Sequence, residues 1–373
     1  MMRRDENRVV VGMSGGVDSS VAAGLLVEQG RDVIGITMKT YAYEDVGGNV
    51  GNDSSCCSLD GINDARRVAL QLGFPHYTVD WTGVFKEKII NYFVEDYLAG
   101  NTPNPCTLCN RLIKWEQMIH KADALGAEYI ATGHYAEIAY DTSSGRRWIR
   151  RSPDAFKDQS YMLWGVQQEL LARTIFPLSG FTKQKSRTEG ERLGLHLAQT
   201  GESYEICFVA DNDYRRFLRD AVGKERFEGG PIVQDGKTIG QHEGYPYYTI
   251  GQRKGLGIAA ADPLFVLDVV PATNSVIVGA ERKLYHNALT AKNVNLLKYA
   301  SLTEPRTFTV KVRYRDEGAP AKCWLDADGL LQVRFDEPRK AIARGQSVVM
   351  YEGDDVVGGG VITLAFDDNV GPV

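Results

Sequence analysis

The first half of the chain alternates short apolar runs with longer stretches of helical periodicity, several of which end at a glycine. The predicted strands are 8–13, 32–38, 75–79 and 127–132. The predicted helices are 19–29, 60–72, 85–99 and 112–125. Strands that alternate with helices in this way are typical of a doubly wound α/β fold, in which a parallel sheet carries helices on both faces.

The pattern changes after about residue 211. Apart from a helix predicted at 214–222, short apolar runs now alternate with turns rich in Gly, Pro, Asn and Asp, which favours small antiparallel sheets or barrels. The predicted strands are 263–270, 275–278, 307–312, 330–335 and 347–351. We therefore predict an α/β catalytic domain over 1–210, a small, mostly β domain over 211–284 and a C-terminal β-barrel-like domain over 285–373.

Composition limits the possible settings of the protein. The content of charged residues, 24%, is ordinary for a soluble chain, and no apolar run reaches the ~20 residues that span a bilayer. Residues 1–8 are polar and do not form a signal peptide, so we expect a cytoplasmic protein without a membrane partner. The net charge of −5 argues mildly against nucleic acid. Local basic clusters occur at Arg146, Arg147, Arg150 and Arg151, at Lys183, Lys185 and Arg187, and at Arg215, Arg216 and Arg219.

The string SGGVDSS, at 14–20, lies between the first predicted strand and the first predicted helix. Its glycines allow the backbone to approach an anion closely, and the helix that follows presents its N–H groups and its positive dipole end. Ser14, Ser19 and Ser20 can add hydroxyl donors, and Asp18 can orient the loop or help to hold a magnesium ion. The string is neither a Walker A loop nor a dinucleotide fingerprint. A serine-capped turn is the structural alternative, but the full string in this strand–loop–helix position is specific and resembles the PP-loop of ATP pyrophosphatases.

The six cysteines of a cytoplasmic chain do not indicate a disulfide framework. Cys106 and Cys109 form a CxxC pair after a proline-rich loop and ahead of the helix predicted near Leu112; such a pair can share a metal, an iron–sulfur cluster or a redox couple. Cys207 is either a third ligand, a partner thiol or a core residue. The Cys56–Cys57 pair lies in a Gly-, Asn- and Ser-rich loop, and Cys323 lies in an apolar strand where it is expected to be structural.

Six strings in one order carry a family resemblance. They are GMSGGVDSSVAAGLL from Gly12, TPNPCTLCNRLIKW from Thr102, ATGHYA from Ala131, KDQSYML from Lys157, EICF from Glu205 and YTIGQRKGLGI from Tyr248. Together they resemble the tRNA-specific 2-thiouridylase family, MnmA or TrmU, within the ATP pyrophosphatases that share the PP-loop SGGVDSS. The resemblance extends from this loop to about Arg315.

The resemblance implies that ATP, with Mg²⁺, adenylates the C2 carbonyl oxygen of the wobble uridine in tRNAs for Lys, Glu and Gln. Sulfur then replaces AMP, and 2-thiouridine results. The nucleotide site maps onto Gly12, Met13, Ser14, Gly15, Gly16, Val17, Asp18, Ser19, Met38 and Gly133. The target-base loop maps onto Asn104, Pro105 and Cys106. Further contacts to the anticodon arm map onto Lys157, Asp158, Gln159, Arg313 and Tyr314. The uridine must leave its stack to reach such a site.

Two cysteines match the catalytic pair of the family: Cys109 as the nucleophile and Cys207 as the carrier of a persulfide. Cys106 departs from the family, because many members have Asp at this position. Cys106, Cys109 and Cys207 together would suit a 4Fe–4S cluster with one open iron, so a cluster-dependent mechanism competes with the persulfide mechanism. Either needs a sulfur donor, such as a cysteine desulfurase or a sulfur relay protein, which the sequence does not identify.

Two other classes of protein share part of this pattern. One is a PP-loop ligase that acts on a small metabolite, and the other is an RNA-binding or iron–sulfur carrier module without turnover. Conversion of ATP to AMP that tRNA stimulates would separate all three. We also predict that the loops at 41–58 and 199–206 become ordered only on binding, and that Cys109 and Cys207 can lie far apart without tRNA.

Overall fold

A computed structural model describes residues 4–41, 59–197, 206–209, 211–223 and 227–367. Within these ranges, every helix is too short or too polar to span a bilayer. The chain divides into two compact units, the first formed by Met1–Ile89, Cys106–Asp213 and Asp354–Val356 and the second by the remainder. The loops predicted to order on binding, apart from Tyr41 and Ile206, and the Cys56–Cys57 pair lie outside the described residues.

A parallel sheet organises the first unit. Its strands are β1 (Asp5–Gly12), β2 (Asp32–Lys39), β3 (His76–Asp80), β4 (Ala127–Thr132) and, after a hairpin of β5 (Ala136–Tyr140) and β6 (Arg147–Arg151), β7 (Thr174–Ile175). The order is β3-β2-β1-β4-β7, and each neighbouring pair is parallel. The predicted doubly wound sheet is confirmed, because the chain moves outward from β1 first on one side and then on the other.

The α-helices of the described residues lie in both units, and those at 91–98 and 214–222 belong to the second. They are α1 (Val17–Glu28), α2 (Leu59–Leu72), α3 (Thr82–Phe85), α4 (Asn91–Leu98), α5 (Pro105–Cys109), α6 (Met118–Ala124), α7 (Gln168–Leu171), α8 (Lys183–Arg192) and α9 (Tyr214–Val222). Single π-helical segments, Lys86–Ile90 and Asn110–Gln117, join α3 to α4 and α5 to α6. The core of the first unit lies around β1, where Val9 and Val11 are fully buried and pack with Val21 and Leu26 of α1 and Val68 of α2. A strand that is covered on both faces is apolar throughout, as 9–11 is.

The prediction that the CxxC pair precedes a helix beginning near Leu112 is wrong. Helix α5 begins at Pro105, so both Cys106 and Cys109 are helical. The physical reason is the proline: its fixed φ suits the first helical position, where its missing N–H has no intrahelical partner to lose. The two thiols are therefore three residues apart on a helix, a spacing that places them on the same side.

Helix α8 was not predicted from the sequence. It is highly polar, and only Ser186 and Gly190 are buried, so apolar periodicity gives no signal. A capping signal is present, because the Thr182 hydroxyl accepts a hydrogen bond from the Lys185 backbone N–H at 3.3 Å.

The second unit contains two β structures. A four-stranded sheet is formed by β8 (Gly230–Gln234), β9 (Lys237–His242), β10 (Phe265–Val270) and β11 (Ser275–Gly279), in the order β10-β11-β8-β9. The other structure is made of β12 (Tyr285–Leu296), β13 (Arg306–Lys311), β14 (Ala319–Leu325), β15 (Leu331–Lys340), β16 (Ser347–Glu352) and β17 (Asp355–Phe366). These six pair in the order β12-β15-β14-β13-β16-β17, and β12 also pairs with β17, which closes a barrel.

The barrel core shows why these segments form strands. Phe308, Val310, Leu331 and Val333 point inward at every second position and are nearly or fully buried. Cys323 lies among them with no exposed surface, and burial raises the pKa of its thiol, so its predicted structural role is confirmed. The two smaller β structures predicted after the α/β domain are thus present.

Candidate active site

The PP-loop lies at the switch point of the parallel sheet. It follows β1, and Gly133 follows β4, the neighbouring strand from which the chain turns the other way. Open α/β sheets bind ligands in this crevice at the carboxyl ends of their strands.

Two glycines of the predicted nucleotide site are required by close backbone approaches. Gly15 has φ +79°, and a Cβ at this position would lie 2.2 Å from the carbonyl oxygen of Gly61 in the first turn of α2. A Cβ on Gly133 would lie 2.6 Å from the Ser19 backbone nitrogen. The PP-loop therefore lies against the backbone of α2 at Gly61, and Gly133 lies against the backbone of α1 at Ser19. A larger residue at Gly15 or Gly133 would push these main chains apart.

The PP-loop is braced by its own serines. Ser19 Oγ and Ser20 Oγ donate hydrogen bonds to the Gly16 carbonyl at 3.1 and 2.9 Å, and the Ser14 N–H donates to Ser19 Oγ at 3.2 Å. Gly16 is the N-cap of α1, and no side chain caps this helix end. The hydroxyls that the sequence suggested as anion donors thus hold the loop, and an uncapped helix N-terminus remains for an anion.

Asp18 is engaged by two partners from later in the chain. Lys183 Nζ donates to both carboxylate oxygens at 2.8 Å, and Tyr135 Oη lies 2.6 Å from Oδ1. The same Tyr135 hydroxyl lies 2.8 Å from Ser186 Oγ. Burial and the charge of Asp18 raise the pKa of Tyr135, so the hydroxyl stays protonated and donates to the carboxylate. The orienting role suggested for Asp18 has a structural basis here.

Lys183 is a site residue that sequence reasoning missed, since it appeared only within a basic cluster. Burial lowers the pKa of Lys183 and of Lys157, whereas the charge of Asp18 opposes both shifts and Arg187 reinforces them. Three cations, Lys157, Lys183 and Arg187, therefore act on one another beside two carboxylates, those of Asp18 and Asp154. The excess positive charge beside an uncapped helix end suits a polyphosphate.

The KDQ string predicted to contact tRNA includes two side chains that hold the backbone. Asp158 Oδ1 accepts the N–H groups of Ser152 and Ser160 at 3.2 and 3.1 Å. Gln159 Oε1 accepts the Tyr135 N–H at 2.9 Å, and the Gln159 N–H donates back to the Tyr135 carbonyl at 3.1 Å. This string therefore connects the half-buried Lys157 to the tyrosine that contacts Asp18.

Gly12 and Met38, two further residues of the predicted nucleotide site, lie at or near the ends of β1 and β2. A Cβ on Gly12 would meet Met118 Sδ at 3.1 Å and Met38 Cε at 3.5 Å. His134 is buried and its Nδ1 lies 2.8 Å from Thr132 Oγ1. Burial lowers the pKa of His134 well below its usual value, so this histidine is neutral near pH 7.

The cysteines differ in exposure. Cys106 is exposed, Cys109 and Cys207 are half-buried, and Cys323 is buried. Cys207 belongs to the short described segment 206–209, which Phe208 anchors by a T-shaped contact with Phe85 at 5.7 Å. Across the described ranges, no three His, Cys, Asp or Glu side chains are grouped to hold a metal. The structure thus places Cys106 and Cys109 on one helix and does not assemble the predicted cysteine trio.

The predicted RNA-contacting residues Asn104, Pro105, Arg313 and Tyr314 occur in the second unit. Arg313 Nη1 donates to the Lys340 carbonyl at 3.2 Å. Arg313 also lines an open cleft of about 500 Å³, whose other walls include Thr102, Gly251, Lys340 and Gln346. The proline-rich loop that leads to the cysteines therefore borders the same cleft as a predicted RNA-binding arginine.

Comparisons with known proteins agree with this architecture. A family profile described as "tRNA methyl transferase HUP domain" matches residues 7–211, one described as a PRC-barrel domain matches 215–280, and one described as "Aminomethyltransferase beta-barrel domain" matches 286–362. These matches define the class: a HUP-type α/β domain followed by two β domains.

Curated relatives identify the family within this class. A protein named tRNA-specific 2-thiouridylase MnmA from Salinibacter ruber is 49% identical over 96% of this chain and 94% of its own length. Proteins of the same name from Amoebophilus asiaticus and Clostridioides difficile are 48% and 45% identical over 97% and 95% of this chain, and over 96% and 98% of their own lengths. The chain belongs to the tRNA-specific 2-thiouridylase family.

We predict that Gly133→Ala weakens ATP binding strongly, because the added methyl group must displace the Ser19 backbone at the start of α1. Gly165→Ala is the matched control, since a Cβ there finds its nearest neighbour, Arg111 Cδ, at 3.7 Å. Isothermal titration with a non-hydrolysable ATP analogue checks this. Equal affinities for the two variants would contradict the assignment of Gly133 to the site.

We predict that Lys183→Met raises the KM for ATP by about tenfold or more, because it removes a cation beside the uncapped end of α1, where we expect the phosphates to bind. Lys185→Met should have the same KM as wild type. Lys185 is on the exposed side of the same helix, and its Nζ lies over the Phe181 ring at 4.0 Å instead of contacting Asp18. Steady-state AMP formation measures both variants. A Lys183→Met enzyme with an unchanged KM would show that Lys183 serves the loop alone.

Proposed function

We propose that this protein is an ATP-dependent tRNA uridine 2-sulfurtransferase that converts the wobble uridine of tRNAs for Lys, Glu and Gln to 2-thiouridine. The single observation that carries the ATP-dependent step is the pairing of Asp18 with Lys183, beside Lys157 and the uncapped N-terminus of α1. Membership of the tRNA-specific 2-thiouridylase family supports the assignment of a tRNA uridine as the substrate.

The first step is adenylation. The C2 oxygen attacks the α-phosphorus of ATP, an oxygen–phosphorus bond forms, the α–β anhydride bond breaks, and pyrophosphate leaves. Lys157 and Lys183 would stabilise the charge of the departing pyrophosphate. The amides at the start of α1, together with the backbone of Gly12–Ser19 and Gly133, would hold the nucleotide.

Mg²⁺ would neutralise phosphate charge when bound. Magnesium prefers carboxylate oxygen and usually binds through one or two carboxylates together with substrate phosphates. The carboxylate of Asp18 fits this requirement, and in the structure it contacts Lys183. Phosphates that attract Lys183 would release the carboxylate for the ion.

The second step is sulfur transfer. The Cys109 thiolate attacks the inner sulfur of a persulfide on Cys207; the persulfide bond breaks, a Cys109–Cys207 disulfide forms, and hydrosulfide leaves with the electron pair. Hydrosulfide attacks C2 of the adenylated uridine, AMP leaves with the C2 oxygen, and loss of a proton gives the C=S bond. A cellular dithiol would reduce the disulfide. Cys109 and Cys207 must approach each other for this step.

A 4Fe–4S cluster on Cys106, Cys109 and Cys207 is the competing mechanism. Among the described residues, no group of three ligands fits such a cluster. The observation in its favour is chemical: Cys106, which is exposed, shares one helical segment with Cys109.

We propose two partners. The first is the anticodon arm of tRNA, which Asn104, Pro105, Lys157, Asp158 and Gln159, along with Arg313 and Tyr314, would contact. The second is a cytoplasmic sulfur donor, either a cysteine desulfurase or a relay protein. We further propose that the catalytic domain ends near residue 210, that a small, mostly β domain follows over 211–284, and that the C-terminal domain over 285–373 contacts tRNA.

A direct test combines nucleotide turnover with sulfur transfer. Wild-type protein, unmodified tRNA, ATP, Mg²⁺ and a desulfurase with cysteine should give AMP, pyrophosphate and 2-thiouridine, detected by nucleoside mass spectrometry. Cys109→Ser should still form AMP but no thiouridine, because adenylation does not use the thiol. A PP-loop ligase for a small metabolite would instead form AMP at a rate that tRNA does not change, and this outcome would refute the proposal.

Iron analysis separates the two sulfur mechanisms. Protein purified without oxygen, as wild type and as Cys106→Ala, is assayed for iron, acid-labile sulfide and thiolation. Iron and activity that are lost together in the variant support the cluster. Wild-type protein that is free of iron and still active supports the persulfide on Cys207.

A further inference from the structure

The loop before α5, the helix that carries Cys106 and Cys109, is held by the C-terminal barrel. Residues 99–104 connect α4 to α5, and they belong to the second unit. The Thr102 N–H donates to the Arg344 carbonyl at 2.8 Å. Gln346 Nε2 donates to the carbonyls of Thr102 at 3.0 Å and Pro103 at 3.2 Å. Arg344 and Gln346 lie just before β16, more than 240 residues after Thr102 in the chain.

The hydrogen bonds of Arg344 and Gln346 to the loop form a clamp, and the barrel side of this clamp is held by the backbone of β17. Gly345, between the two clamping residues, has φ +86°, and a Cβ on it would lie 2.8 Å from Asp96 Oδ2 and 2.9 Å from the Thr102 carbonyl. The Gly345 N–H donates to the Ile362 carbonyl at 2.9 Å, and the Ile362 N–H donates to the Gln346 carbonyl at 2.8 Å. The clamp is thus a continuation of the β17 ladder, and only glycine allows the two backbones to approach so closely.

The loop side is ordered by the helix that precedes it. Asn101 Nδ2 donates to Asp96 Oδ1 at 2.8 Å, and the Asn101 N–H donates to the Asp96 carbonyl at 2.9 Å. Pro103 and Pro105 are buried. After these anchors only Asn104 separates Pro103 from Pro105, the first residue of α5. A displacement at Thr102 or Pro103 therefore moves the start of the helix that carries Cys106 and Cys109.

We propose that Gln346 is a positioning residue for the reaction: its two hydrogen bonds fix the target-base loop and, through it, the start of the cysteine helix. Gln346 also lines the cleft that contains Arg313. RNA that binds in this cleft would meet a loop already set in place. The inference rests on the proposed function only in assigning the chemistry to the cysteines of α5.

The test uses full-length Gln346→Met, which keeps the length of the side chain and removes both donors. Gln332→Met is the matched control, because Gln332 is also half-buried in the barrel and its amide donates to Asp326 Oδ2 at 2.7 Å, away from the loop. Three quantities are measured: the alkylation rate of Cys109 by iodoacetamide without tRNA, the single-turnover thiolation rate with saturating tRNA and ATP, and the Kd for tRNA.

Gln346→Met should thiolate about tenfold more slowly, since two neutral hydrogen bonds that orient a reacting group are lost. Its Cys109 should be alkylated severalfold faster, because a loosened helix start opens more often. Its Kd for tRNA should equal that of wild type, and Gln332→Met should match wild type in all three measurements. Gln346→Glu, which when ionised cannot donate to the two carbonyls, should reproduce the loss if the methionine variant proves unstable.

Two outcomes overturn the inference. One is a Gln346→Met protein whose thiolation and alkylation rates equal those of Gln332→Met. The other is a raised Kd for tRNA with unchanged rates, which would make Gln346 an RNA contact. A wild-type protein that fails to thiolate tRNA would refute the proposed function instead, and the alkylation rates, which need no tRNA, would still decide whether Gln346 positions the helix.

Discussion

The ion pair between Asp18 and Lys183 is the interaction around which the nucleotide site is arranged. It joins the first turn of α1 to α8 through two side chains that are 165 residues apart in sequence. Tyr135 completes the arrangement by contacting both Asp18 and Ser186. The pair is half-buried, so solvent screens it less than a surface contact, and either charge would be costly to leave alone. The contacts of Asp18 with Lys183 and Tyr135 thus fix the shape of the loop, and a preorganised loop of this kind favours the binding of a polyphosphate.

Local signals explain which parts of this site were predictable. The strand β1, the glycine turn and helix α1 follow one another within 25 residues, and each has its own sequence signature, so the PP-loop could be placed without a structure. The strand that ends before Gly133 was predicted from its pattern, whereas the assignment of Gly133 to the nucleotide site came from the family resemblance. The barrel, too, shows strict alternation at Phe308, Val310, Leu331 and Val333.

The parts that were missed depend on partners distant in sequence or on unusual helices. Helix α8 has almost no apolar face, so neither the helix nor the role of Lys183 could be found from periodicity. The start of α5 was placed too late because a proline-rich loop favours irregular structure, whereas Pro105 in fact opens the helix. The contact between Gln346 and Thr102 has no local signature on either side, and it required the fold.

The assignment of residues 90–105 to the second unit has a consequence for how the enzyme comes into being. A ribosome makes the PP-loop and all three candidate catalytic cysteines first, yet the groups that hold the loop before α5 are Arg344 and Gln346, close to the end of the chain. During synthesis the loop that leads to Cys106 and Cys109 has its contacts with Asp96 but lacks its contacts with the barrel until residues 344–346 have been made. The loop before Cys106 and Cys109 therefore gains its full set of contacts only as translation nears its end.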